Sequence, residues 1–221
     1  AAEGGAAAPR PPLRAPSPGR PWRVLCVGDS LTVDPGGGYP QHLQALLNQA
    51  AKGRWDVKNF GVRGAAVVAA DGLPAYGRLP RLAPELKLRP PDAVVVMLGI
   101  NNARKGSWQE APFVEEYVRL LRRLQGVEAC PEALRLVLVV APPRVWANRY
   151  LIEPALTDGP VQAAALCAAS RLELPFLDPR GVLGPGHIED GHLNGSGAQA
   201  LALQVRGLLL ERAAAAGFPG L

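Results

Sequence analysis

Two stretches of the chain, Ala93–Leu98 ("AVVVML") and the run from Leu136 to Pro143 ("LVLVVAPP"), carry no polar residue on either face of an extended strand. A strand with one face in water alternates apolar and polar residues. One that does not alternate must be covered on both faces, as happens in parallel sheets whose crossover helices lie above and below. The rest of the chain supplies matching pieces. Val24–Val27, Trp55–Phe60, Leu134–Val140 and Pro175–Leu177 read as further strand segments, in order with Ala93–Leu98. Helical spacing predicts Tyr39–Ala51, with Pro40 in the first turn and Leu43, Leu46, Leu47 and Ala50 on one face. It also predicts Phe113–Leu124, Val161–Leu172 and Ala198–Arg212, the last with Asn194 close enough ahead to cap it. Alternating β and α elements with continuous apolar strands define an α/β class. The expected architecture is a three-layer αβα sandwich around a mostly parallel five-stranded sheet.

At 221 residues the chain has room for one sizeable core, and 48% hydrophobic content argues against a mostly disordered protein. No apolar run approaches the roughly 18 residues that span a bilayer, so a soluble globular protein is expected. The net charge of +5 is partly the work of residues 1–22, where Arg10, Arg14 and Arg20 face only Glu3. The remaining arginines are scattered among acids with no basic stripe interleaved with aromatics, so no nucleic-acid partner is expected. Residues 1–22, rich in Ala, Pro and Arg, read as a disordered extension ahead of a domain over 23–221. Such a segment is either the remnant of an organellar transit peptide or a plain flexible leader. Cys26, Cys130 and Cys167 are odd in number and lack short pairings, so a disulfide framework is not expected. Cys26 in a strand and Cys167 in a helix read as small hydrophobes.

In such sheets ligands collect beyond the carboxyl ends of the strands. Ser30 follows the first strand, Gly61-Val62-Arg63-Gly64 the second and Gly99-Ile100-Asn101-Asn102 the third, while His192 stands before the last helix. These are the parts of a serine hydrolase. A serine hydroxyl needs a base to become a nucleophile. The tetrahedral intermediate needs donors aimed at its oxyanion, which glycine-rich turns and an asparagine amide can supply.

The four blocks together resemble the GDSL, or SGNH, hydrolase family over about residues 23–212. Gly28-Asp29-Ser30-Leu31 is similar to its nucleophile block and Asn59–Gly64 to its second block. Gly99–Asn102 resembles the third, and Asp190-Gly191-His192-Leu193-Asn194 the last. The resemblance implies a flavodoxin-like SGNH hydrolase fold with Ser30 as nucleophile and His192 as base. It also implies an oxyanion hole formed by the Ser30 N–H, the Gly64 N–H and the Asn101 amide, with no metal and no cofactor. Two positions depart from the family pattern. Asn102 stands where an aspartate is usual. The family's acid lies three residues before the histidine, which is Glu189 here, whereas the motif favours Asp190, two before. Either carboxylate, or neither in a plain Ser–His dyad, is left to orient the imidazole.

The expected function is that of a serine esterase working through an acyl-enzyme on a small-molecule ester. An acetyl ester of a carbohydrate comes first, and a short-chain or lysophospholipid ester second. The alternative is a catalytically degenerate member that serves as a binding or assembly subunit, with the N-terminal extension attaching it to a protein partner. His42 reads as a helix-surface residue, and His187 lies near His192 without a usual metal-ligand spacing. Trp108 and Trp146 are candidates either to wall the pocket or simply to pack. The loops Lys105–Pro112 and Pro142–Gly159 are expected to set substrate choice.

Overall fold

Because their side chains are apolar on both faces, with Arg23 the one exception, the central strands are buried on both faces. β1 (Trp22–Gly28), β3 (Ala93–Met97) and β4 (Leu136–Val140) expose almost nothing to water. The computed structural model describes residues 20–33, 38–51, 53–70, 72–126, 134–146 and 148–215. Along the chain β1 leads into a one-turn helix α1 (Ser30–Val33), α2 (Gly38–Ala50), β2 (Trp55–Asn59) and α3 (Leu82–Leu88). After β3 come α4 (Glu110–Gln125), β4, α5 (Pro154–Thr157), α6 (Pro160–Ser170) and β5 (Phe176–Leu177). A hairpin of β6 (Ile188–Glu189) and β7 (His192–Leu193) then precedes the closing helix α7 (Gly195–Ala215).

The five main strands run parallel in the order β2-β1-β3-β4-β5. The connection from β1 moves one way to β2, and the chain then crosses back past β1 to β3. The order reverses there, and this is the switch point at which doubly wound sheets open a crevice. Right-handed crossovers put α2 and α7 together over one face and α4 and α6 over the other, completing the three layers.

The five strands and four long helices expected from the sequence are present with ends shifted by up to three residues. Asn194 caps α7 as expected, its Oδ1 accepting from the Gly197 N–H at 3.0 Å. The helix α3 lacked a signal because it is short and carries Pro84 at its third position, which a first turn tolerates but periodicity does not advertise. Cys26 is a buried small hydrophobe whose thiol is pushed up to about 12 by desolvation. Cys167, by contrast, is exposed on the solvent side of α6 and does not pack as the small hydrophobe expected. Cys130 and residues 1–19 of the expected extension lie outside the described residues. Among the described residues no helix is long and apolar enough to cross a membrane.

Arg20 and Trp22 belong to the fold. Trp22 meets Trp55 with ring centroids 5.3 Å apart. Arg20 grips Asp92 through two bonds of 2.7 Å, and Asp92 also accepts the Arg23 N–H at 2.9 Å. The buried carboxylate thus ties the start of β1 to the start of β3. Replacing it by alanine strands a buried main-chain donor and an arginine. Asp92→Ala is expected to cost about 2 kcal/mol, a drop of roughly 4–8 °C in Tm by scanning calorimetry.

Candidate active site

β1 ends at Gly28, and Asp29 turns the chain. The Asp29 main-chain oxygen accepts from the N–H groups of Thr32 and Val33, both at 3.1 Å, and its Oδ1 accepts from Leu31 N–H at 3.0 Å. Those bonds close α1 and leave the side chain of Ser30 at the crevice. The second block folds against this turn. Asn59 donates to Thr32 O at 2.6 Å and accepts from Gly61 N–H at 3.0 Å. A Cβ on Gly61 would sit 2.9 Å from Val33 N and 3.0 Å from Asp29 O, so only glycine lets the two segments meet. Gly64 has φ +72°, a left-handed conformation that a side chain would strain.

The third block follows β3 as a short 3₁₀ turn over Ile100–Ala103. Asn101 is buried and donates through Nδ2 to Ala65 O at 2.9 Å. An amide has two such protons, so this bond orients the group and leaves one proton for another acceptor. Asn102 uses both ends of its amide. Its Oδ1 accepts from Val67 N–H at 2.8 Å and its Nδ2 donates to Val68 O at 2.9 Å. An ionised aspartate could make only the first of these bonds, which accounts physically for asparagine at this position.

The fourth block is the β6–β7 hairpin. Asp190 and Gly191 have φ values of +46° and +79°, as a two-residue type I′ loop demands. Glu189 is thereby paired with His192 across the hairpin. His192 Nε2 lies 3.0 Å from Ser30 Oγ, and its Nδ1 lies 3.2 Å from the main-chain oxygen of Asp190. Neither candidate carboxylate reaches the imidazole. The Asp190 side chain turns to Arg149, accepting from its N–H at 3.0 Å and pairing with its Nε at 2.6 Å. Glu189 is exposed and makes no hydrogen bond to the ring. The tight loop explains this, because it spends the residue before Gly191 on the turn and presents a carbonyl where an acid was expected.

Ser30, Gly64, Asn101 and His192 share one cleft of about 170 Å³ with Arg63, Arg104 and Tyr150. Tyr150 stands edge-on to His192, with ring centroids 5.1 Å apart and planes at 74°. Its loop is held by Asn148, which accepts from Tyr150 N–H at 3.0 Å and donates to Ile152 O at 3.0 Å. Trp108 packs on Phe113 and Trp146 lies beneath Arg144, so neither walls the cleft. His187 accepts from Gly184 N–H through Nδ1, and His42 is half-buried on α2. Sequence reasoning singled out the loop that carries Tyr150, but not the residue. Arg63 and Arg104 stood inside or just after quoted blocks, and no pattern in the sequence said that they converge.

Asp29 is wholly buried and one of its oxygens has no partner, so desolvation raises its carboxyl to about 7. The unfolded carboxyl releases its proton near about pH 4. The folded state therefore holds the extra proton between these values. Its stabilising contribution is full in acid and is lost as pH rises through about 7. Relative to Asp29→Asn, the wild-type Tm is expected to fall by roughly 5 °C or more between about pH 5 and pH 8. Parallel melting curves for the two proteins would show no such divergence if the carboxyl were ionised throughout.

Residues 26–200 match the GDSL-like lipase/acylhydrolase family. A segment of 116 residues is 31% identical to an acetylxylan esterase of Xylanibacter ruminicola, covering 49% of this chain and 23% of that protein. The chain thus matches about a quarter of that curated relative's length. Among solved structures, the native aryl esterase of M. smegmatis superposes with a TM-score of 0.68 at 19% identity, over 86% of this chain and 99% of that one. A carbohydrate acetylesterase family member from Sinorhizobium meliloti does so with a TM-score of 0.66 at 19% identity, over 85% and 97%. These structural likenesses carry the fold, and the match across all four blocks carries the family: the chain belongs to the GDSL-like lipase/acylhydrolase family.

Proposed function

We propose that the protein is a serine esterase that hydrolyses small carboxylic esters through an acyl-enzyme. The observation that carries this reading is the 3.0 Å approach of His192 Nε2 to Ser30 Oγ, beside the Gly64 and Asn101 donors. Ser30 Oγ attacks the ester carbonyl while His192 takes its proton. The Ser30 and Gly64 N–H groups and the free proton of the Asn101 amide receive the oxyanion. Collapse expels the alcohol, to which His192 returns the proton. Water, activated in turn by His192, then releases the acid.

The orienting group in this mechanism is the Asp190 main-chain carbonyl. By accepting from Nδ1–H it fixes the tautomer in which Nε2 is the proton acceptor, which is one half of what a triad carboxylate does. A neutral carbonyl lacks the charge that stabilises the imidazolium, so the chemistry is that of a Ser–His dyad. Acetyl esters of carbohydrates are the first substrate class. The small cleft and the likeness to an acetylxylan esterase and to a carbohydrate acetylesterase family member support that choice.

The test is labelling with a fluorophosphonate probe and turnover of 4-nitrophenyl acetate. Ser30→Ala and His192→Ala are each expected to lower turnover by at least about 10³-fold, with labelling lost in the first. Glu189→Gln is expected to stay within about threefold of wild type, because its carboxylate makes no bond to the imidazole. A folded wild type with neither labelling nor turnover would overturn the reading and leave a binding or assembly role in its place.

A further inference from the structure

Several arginines of the protein hold carboxylates: Arg20 pairs with Asp92, Arg144 with Asp158, Arg149 with Asp190 and Arg171 with Glu115. The two that line the cleft do not. The side chains of Arg63 and Arg104 make no ion pair and no hydrogen bond to any described residue, and both border the cleft that holds Ser30 and His192. Arg104 is half-buried, and its Nε is wholly shielded from solvent without an acceptor. An arginine nitrogen left in that condition costs free energy unless something else supplies the acceptor. Main-chain pairing fixes where the residue stands. Arg104 is bridged to Ile152, and its oxygen accepts from Ser107 N–H at 2.9 Å. Among the described residues that line the cleft there is no Asp or Glu.

Resting on the esterase reading above, we infer that Arg63 and Arg104 form an anion subsite, and that the ester taken carries a carboxylate or phosphate close to its scissile bond. The guanidinium fork matches either oxyanion, and the half-buried setting of Arg104 strengthens the pairing over what open water allows. The cleft admits little beyond a short acyl group, so the charged group belongs with the alcohol part, at the mouth where Arg63 is exposed.

Three aryl acetates test this on one leaving-group position: methyl 4-acetoxybenzoate, 4-acetoxybenzoate and 4-acetoxyphenyl phosphate. Each kcat/KM is divided by the compound's alkaline hydrolysis rate to remove intrinsic reactivity. At least one anionic compound is expected to exceed the methyl ester about tenfold or more, the size of one charge-assisted hydrogen bond. Which of the two leads identifies the anion. Arg104→Gln and Arg63→Gln should each lower the anionic-to-neutral ratio at least about threefold. So should ionic strength near about 1 M, where screening acts within about 3 Å. A wild-type ratio at or below one overturns the subsite. So does an equal loss on all three substrates in both variants, which would mark the arginines as general supports of the oxyanion. If no ester is turned over, the esterase reading fails by itself. Calorimetry of inorganic phosphate and 4-hydroxybenzoate with the wild type and Arg104→Gln then decides the subsite: weaker binding in the variant upholds it, and absence of binding to the wild type overturns it.

Discussion

The side-by-side packing of β1 and β3 is the constraint from which the site follows. Their parallel register, from Val24 opposite Ala93 to Gly28 opposite Met97, brings the ends of two strands far apart in sequence to one edge. Both strands are buried on both faces, so neither can slide without exposing valines or burying the polar loops that follow. Ser30 leaves one strand end and Asn101 the other. The crevice exists because the chain departs from β1 toward β2 and returns past it, so no crossover helix closes over the gap.

Around this edge, polar side chains are bonded to main-chain groups of neighbouring turns. Asp29 closes the nucleophile turn, Asn59 ties the second block to it, and Asn102 braces the 65–68 segment with both ends of its amide. Each is a local hydrogen-bonding problem solved by a side chain of the right valence. These bonds fix the turns that carry Ser30, Gly64 and Asn101. His192 is delivered differently, on a two-residue hairpin braced from outside by the Arg149–Asp190 pair. The Asp190 carboxylate thus serves the loop while its carbonyl serves the imidazole.

Much of the fold was legible because burial on both faces writes itself as unbroken apolar runs and helices as a 3.6-residue period. Ser30, Gly64, Asn101 and His192 could be picked out because each follows a strand or precedes the last helix. The structure gathers all four in one cleft. The identity of the group on Nδ1 was not legible. Counting residues back from His192 favoured Glu189 and the motif favoured Asp190, but the answer depended on two positive φ angles. The Asp-Gly pair was the available signal, since it is a preferred type I′ turn. Cys167 was misplaced for a related reason: α6 is apolar nearly all round, so its periodicity does not say which side faces water.

The sequence by itself determined the class of sheet, the order of its elements and the chemical parts of the site, because those depend on residue type and local spacing. Only the tertiary structure decided which atoms meet. It turned the Asp190 carboxylate toward Arg149 and its carbonyl toward His192. It brought Tyr150 from one loop against a histidine from another, and set Arg63 and Arg104 on one cleft with no carboxylate among its described lining residues. These outcomes depend on backbone dihedrals and on loops that touch across the sheet edge, and such contacts between segments distant in the chain leave no period or spacing in the sequence.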